Sequence, residues 1–375
     1  MSLTYAHFVM VLLFCCRVMV AGDMKFKKSV YGEPVCGQGS FFLVGNIGGT
    51  NARFALAQVR DSGFSLIALF QGDSKQISRF HLAVDQILST IKNDYDIVVS
   101  QACFAVAGLV SQGRDYCRMT NLSWDIDTKL LIEQTSLVSV VLLNDFEAVG
   151  YGIEGLSEYE LQSLTPTKKT FGIANKAIIG AGTGLGKSVL IWNELQKEYV
   201  VVATEGGSAD FPAYDSEELA LISFIRRSQV GSQDVCFEHL LSGRGIQNIY
   251  KFLCEEKKVA SSCEKKIRES NCDPKVIAAC QADDLCCKKT FEYFVTFYGR
   301  CARNFALETL ALGGVYIAGG IALSNLDLFR SGSFLSEFYR NQTFRSMLQN
   351  IPVSIITSPH VELYGAILFG RRAIL

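Results

Sequence analysis

Carboxylates that follow buried strands are the first residues here that could do chemistry. Val141-Leu142-Leu143-Asn144-Asp145-Phe146-Glu147-Ala148 delivers Asp145 at the end of a branched aliphatic run, the end of a strand where ligands gather in α/β sheets. Aspartate is also a common helix N-cap, and that is the default reading of such a residue. Thr204-Glu205-Gly206-Gly207-Ser208 places a second carboxylate beside paired glycines after another strand, and Glu238 stands in Phe237-Glu238-His239-Leu240-Leu241-Ser242-Gly243.

Three glycine-rich turns could handle an anion. Asn46-Ile47-Gly48-Gly49-Thr50-Asn51 follows a short apolar run. Glycines let backbone N–H groups approach a phosphate, although a plain structural turn is the default for such a pair. Gly180-Ala181-Gly182-Thr183-Gly184-Leu185-Gly186-Lys187-Ser188 holds four glycines in seven residues. Its tail nearly matches a Walker A loop, which must open a helix whose N-terminus faces the phosphates. Val189-Leu190-Ile191-Trp192 is instead β-rich, so the match is read as coincidental. Gly313-Gly314-Val315-Tyr316-Ile317-Ala318-Gly319-Gly320 brackets a strand with paired glycines; it fits either a nucleotide lying against backbone or a crowded strand-to-helix junction.

The elements that must position these residues read as α/β. Phe41–Gly45, Arg53–Val59 and Phe64–Phe70 are three antiparallel strands by their apolar runs and alternation. Apolar spacing predicts a helix over Ile77–Lys92, and Tyr95–Val106 and Val138–Leu143 read as buried strands. The same order then recurs: a strand at Lys176–Ile179, a hairpin of Ser188–Trp192 with Tyr199–Ala203, helical sequence from Ser216, and strands at Val315–Ala318 and Val353–Ile356. Two copies of one pattern imply two related lobes with a cleft between them.

Composition sets the bounds. The chain has 375 residues, 49% hydrophobic and 19% charged, enough for a large interior. Its net charge of −1, without a basic block, argues against nucleic acid as a partner. None of the 13 cysteines are spaced Cys-x-x-Cys, and the seven from Cys254 to Cys301 lack histidines at metal-ligand spacing, so reduced thiols are expected ahead of a zinc or redox site. Ala6–Cys16 is an apolar run too short to span a bilayer. With Val20-Ala21-Gly22 it looks like a signal peptide that lacks the leading positive charge. Residues 1–39 are accordingly expected to be an extension outside the fold.

In this order and spacing, the segments resemble the bacterial-type glucokinase family, of the actin, hexokinase and Hsp70 fold. The likeness runs from about Phe41 to Leu375 and includes Arg118-Met119-Thr120-Asn121-Leu122-Ser123-Trp124 and Leu241-Ser242-Gly243-Arg244-Gly245. It implies a two-lobed, actin-like ATPase fold (ribonuclease H-like) with the active site between the lobes: a small lobe of residues 41–154 plus 356–375 and a large lobe of 155–355. It further implies ATP-dependent phosphorylation of the 6-hydroxyl of glucose, the first step of glycolysis, in the cytoplasm. Asp145 matches the catalytic base, and Asn144, Glu205 and Glu238 match residues that bind the sugar hydroxyls. Gly48, Gly49, Thr50 and Asn51, then Gly180, Gly182, Thr183 and Gly184, match two phosphate loops; Gly319 and Gly320 match the adenosine motif. The nucleotide would be ATP with magnesium, the acceptor glucose or a related hexose, and a homodimer is left open.

Two positions depart from the family. Asn46 stands where it has an aspartate that holds magnesium-bound water, and Ser208 stands where it has a histidine that reaches the sugar. A working but weakened or retuned kinase is the expectation. Two other readings remain open: a catalytically silent sugar- or nucleotide-binding protein, and a P-loop NTPase with a helix after Lys187. The chain lacks the cysteine-rich zinc motif of the related repressor and sugar-kinase family, a helix-turn-helix before residue 41, and the HRD and DFG phrases of protein kinases.

Overall fold

The computed structural model describes residues 17–21, 24–35, 37–120, 122–166, 172–228 and 234–374. Within it the chain divides into two compact units, 1–155 with 360–375, and 156–359.

The first unit is built on a sheet of seven strands. These are β1 (Arg17–Ala21), β2 (Met24–Val30), β3 (Ser40–Ile47), β4 (Asn51–Arg60), β5 (Gly63–Asp73), β6 (Gln101–Val106) and, further along the chain, β10 (Ser139–Asn144). They lie in the order β1-β2-β5-β4-β3-β6-β10. β3, β4 and β5 are antiparallel neighbours, whereas β3, β6 and β10 run parallel. Three short strands, β7 (Gly108–Val110), β8 (Tyr116–Met119) and β9 (Ile126–Asp127), form a separate small sheet.

The expectation that residues 1–39 stand outside the fold is corrected here. β2 pairs with β5 from Lys27 opposite Gln71 to Val30 opposite Ala68. Met24 and Phe26 are buried with Phe54, Phe70 and Phe104 in the core of the unit. Three lysines lie in this stretch, and a strand sends alternate side chains to opposite faces. Lys25 and Lys27 do point outward; Lys28 turns in and pairs with Asp94 at 2.6 Å, its amine 4.3 Å from the Tyr95 ring centroid. The apolar run Ala6–Cys16 and Gly22 of the cleavage-like triplet lie outside the described residues.

The second unit carries a sheet of six strands: β11 (Leu161–Ser163), β12 (Lys176–Ala181), β13 (Leu185–Asn193), β14 (Glu198–Thr204), β15 (Val315–Ala318) and β16 (Val353–Ile356), in the order β11-β16-β15-β12-β13-β14. Here β12, β13 and β14 are antiparallel and β12, β15 and β16 parallel. The run β14-β13-β12-β15-β16 therefore repeats β5-β4-β3-β6-β10 of the first unit in order and direction, the recurrence the strand pattern implied. A long helix, Leu285–Thr309, packs its aromatic face (Phe291, Phe294, Phe297, Tyr298) into the core beside this sheet.

Two boundaries moved. The first helix is Phe80–Tyr95, ended by Asp96 in a left-handed conformation (φ 55°) whose N–H returns to Lys92 O. Tyr95 therefore closes that helix instead of opening a strand, and the ladder begins only at Gln101. The two units separate at 155/156 and 359/360, so β16 belongs wholly to the second sheet.

Candidate active site

In the first unit the parallel strands bring Asn46 and Asp145 to one end of the sheet. Asn46 lies in register with Ala105 of β6, and Asn144 with Val106 of the same strand. The turn Gly48–Asn51, closed by Gly48 N donating to Asn51 O at 3.0 Å, thus sits at the same strand ends as Asp145. Asn144, not Asp145, caps the helix Asp145–Gly152: its Oδ1 accepts from the N–H groups of Phe146 and Glu147 at 2.9 and 3.3 Å. Asp145 is the first helical residue, half-buried, with Oδ1 2.9 Å from Phe146 N. The capping alternative is thus filled by its neighbour.

Sequence reasoning missed the pair that fixes this corner. Glu147, buried, receives both guanidinium arms of Arg114 at 3.0 and 2.7 Å and completes the capping box at Asn144. The spacing Asn-x-x-Glu could have announced Glu147. Nothing local announced Arg114, which reaches it from 33 residues away. The phrase Arg118–Trp124 supplies Arg118, Met119, Thr120, Leu122 and Ser123 to a cavity of about 630 Å³ in this unit; its Asn121 lies outside the described residues.

The second unit gathers four of the remaining segments around Leu185. β12 and β13 close the second glycine turn, with Gly182 N donating to Gly184 O at 2.8 Å. Glu238 Oε2 accepts from Leu185 N at 3.1 Å, and its Oε1 accepts from Arg244 at 3.3 Å. Gly207 lies against the same residue: a Cβ there would stand 2.0 Å from Leu185 O, so only glycine lets the Glu205–Ser208 turn come so near. Gly319 (φ +93°) also approaches Ala181 closely, where a Cβ would meet its carbonyl at 2.4 Å. Glu205 and Ser208 are exposed at the two ends of their turn. The helix Gly243–Lys251 is tied in as well, through Gly243 N to Gly182 O at 2.9 Å and Ser242 Oγ to Glu238 O at 2.7 Å.

Lys187 belongs to strand β13, opposite Ile179 and Thr204, and this removes the P-loop reading, which required a helix. It is only 3% exposed, with its amine 5.1 Å from the ring centroids of both Phe237 and Phe305. Its stem passes directly beneath Gly206. A phosphate-binding lysine would reach outward; this one is packed under the turn that carries Glu205.

The residues fit a nucleotide better than a fully protein-held metal. A Cβ built on Gly182 or Gly320 meets nothing within 4 Å, so the backbone at both positions is open to a ligand. Among the described residues no three His, Cys, Asp or Glu side chains cluster to hold an ion. Asn46 is 9% exposed and offers a neutral amide in place of a carboxylate. Magnesium, which keeps several waters and binds through phosphates with one or two protein oxygens, suits such a donor set.

A carboxylate at the end of a parallel strand, with open glycine turns on a repeated α/β sheet, fits a sugar-kinase type of phosphotransferase. Solved structures agree on the fold. The glucokinase of an Antarctic psychrotroph superposes with a TM-score of 0.75 at 25% identity, over 90% of this chain and 100% of that one. A glucokinase of Balamuthia mandrillaris in complex with glucose gives 0.75 at 22% identity, over 89% and 94%. The Glucokinase family profile matches residues 43–373, and the chain belongs to that family. Among its relatives, the glucokinase of Trichormus variabilis is 36% identical over 89% of this chain and 99% of its own length. That of Synechocystis is 33% identical over 88% and 98%.

Proposed function

We propose that Asp145 is the general base of this enzyme and that Asn144, Glu205, Ser208 and Glu238 hold the sugar it works on. The chain is an ATP-dependent hexose kinase that phosphorylates glucose. In this reading the fold is that of an actin-like ATPase. The 6-hydroxyl gives its proton to the Asp145 carboxylate as its oxygen attacks the γ-phosphorus of ATP; the bond to the β-phosphate oxygen breaks and ADP departs. The turns Gly48–Asn51 and Gly180–Gly184 donate backbone N–H groups to the phosphates, and Gly319-Gly320 lies against the adenosine. Bound magnesium would neutralise charge on the phosphates, with Asn46 nearest to hold one of its waters. Closing around the sugar excludes water, which otherwise competes as acceptor. Ser208, being short, reaches the sugar through a water.

The single observation that carries the reading is Glu238. One carboxylate of the sugar set is hydrogen-bonded to Leu185 N of a glycine turn, so acceptor and donor recognition are joined in one rigid corner. The same reading places the enzyme in the cytoplasm, where ATP is available, in the first step of glycolysis, as a monomer or homodimer without nucleic acid or membrane partners. No helix of the described residues is long and apolar enough to cross a membrane. The test is a coupled assay of ADP release with glucose, mannose and N-acetylated hexosamines, repeated on Asp145→Ala. Glucose-dependent turnover should fall by about 10²–10⁴-fold in the variant, with glucose binding retained. Binding without turnover in the unaltered chain would mean a silent sugar-binding protein instead.

A further inference from the structure

The cysteine-rich stretch of the second unit contains a pair that the kinase site does not use. Cys254 lies on the π-helical turn Phe252–Glu256 that extends the helix Gly243–Lys251, and Cys286 lies in the first turn of Leu285–Thr309. Both are thiols, and their sulfurs are 2.9 Å apart although 32 residues separate them in sequence. The two differ in access: Cys254 is half-buried, Cys286 is fully buried. Asp284 caps the second helix through Cys287 N at 2.8 Å and accepts from Ser261 Oγ and Cys263 N at 2.7 and 2.9 Å, which holds the loop before Cys286 in place. The thiols are therefore brought together by two anchored elements and not by a loose loop.

We propose that Cys254 and Cys286 are a redox-active dithiol that closes to a disulfide by exchange with a small-molecule disulfide such as oxidised glutathione. Cys254 is the attacking thiol. The hydrogen bond from Cys286, and a further one from Tyr250, hold it below the ordinary thiol range against the cost of burial, and the thiolate is the nucleophile. Its sulfur attacks one sulfur of the small disulfide, that S–S bond breaks, and a thiolate leaves. Cys286 then gives up its proton and attacks Cys254 Sγ, expelling the second thiolate, which takes the proton. The protein pair loses two electrons and the small disulfide gains them. The bond would fasten the end of Gly243–Lys251, whose first turn is tied to Gly182 and Glu238, to the start of the long helix.

The experiment equilibrates the full chain in glutathione buffers of increasing oxidised fraction, blocks remaining thiols with an alkylating agent, and maps the non-reduced peptides by mass spectrometry. A Cys254–Cys286 crosslink is expected, reversed by dithiothreitol. Cys286→Ser should lose the crosslink and accumulate a stable glutathione adduct on Cys254. Complete alkylation of both cysteines in oxidised, folded protein would overturn the proposal, as would a bridge formed by another pair such as Cys263 with Cys280. The map of the unaltered chain needs no variant, so a misfolded Cys286→Ser leaves the test intact.

Discussion

Asn46 is the residue on which the chemistry of this kinase is most open to adjustment. It is the last residue but one of β3, in register with Ala105, at the end of the sheet where Asp145 follows β10. An amide oxygen can orient a magnesium-bound water, but hydrogen bonds to an ionised acceptor are roughly twice as strong. Asn46→Asp should therefore lower the magnesium concentration needed for half-maximal turnover by about fivefold, since about 1 kcal/mol corresponds to that factor. Magnesium titrations of both proteins at fixed ATP check this, and an unchanged midpoint would remove Asn46 from the nucleotide site. Ser208 is the companion departure. It stands exposed at the end of the Gly206–Ser208 turn.

At the scale of elements, β2 shows how a strand can be hidden by its composition. Met24-Lys25-Phe26-Lys27-Lys28 looks polar when summed, yet its inward side chains meet an aromatic group. Phe26 is 2% exposed and stands edge-on to Phe54, ring centroids 5.8 Å apart. Phe26→Ala should cost about 3–5 kcal/mol, the range for truncating a buried aromatic. Urea unfolding followed by fluorescence would measure it, and a loss below 1 kcal/mol would mean that β2 does not contribute to the core. The glycine turns make the complementary point. Their shape depends on what packs behind them, as Gly207 does against Leu185 and Gly319 against Ala181.

For the whole molecule, resistance to acid depends on buried carboxylates that are well bonded. Burial alone would raise Asp284. The N–H groups of Cys287 and Cys263 and the Ser261 hydroxyl outweigh that effect and hold it at about 2, below an ordinary 3.8. Because the folded value is the lower one, this stabilisation is complete above about pH 4 and is lost as pH falls through 2. It amounts to about 2 kcal/mol. Asp284→Asn should flatten the dependence of stability on pH between 4 and 2, measured by denaturant midpoints across that window; parallel profiles would refute the assignment. A second buried group, Arg300, is bonded to both Glu218 and Glu337 and stacks on Tyr214 at 3.7 Å. It anchors the chain beyond Glu205–Ser208 through Pro212 O, which accepts from Arg300 at 2.8 Å.

The α/β character and the strands β3, β4, β5, β12, β15 and β16 were legible in sequence, because apolar periodicity and glycine punctuation are local signals. Rejection of the P-loop was legible for the same reason, since the β-rich run after Lys187 could not open a helix. What local signals do not carry is which distant groups meet. Arg114 finding Glu147, Glu238 finding Leu185 N, Lys187 turned under Gly206 and Cys254 beside Cys286 are all set by how strands and helices pack after the chain has folded. Even the fate of three lysines in β2 was decided by a partner strand, which gave the segment a buried face that no count of its charges could reveal.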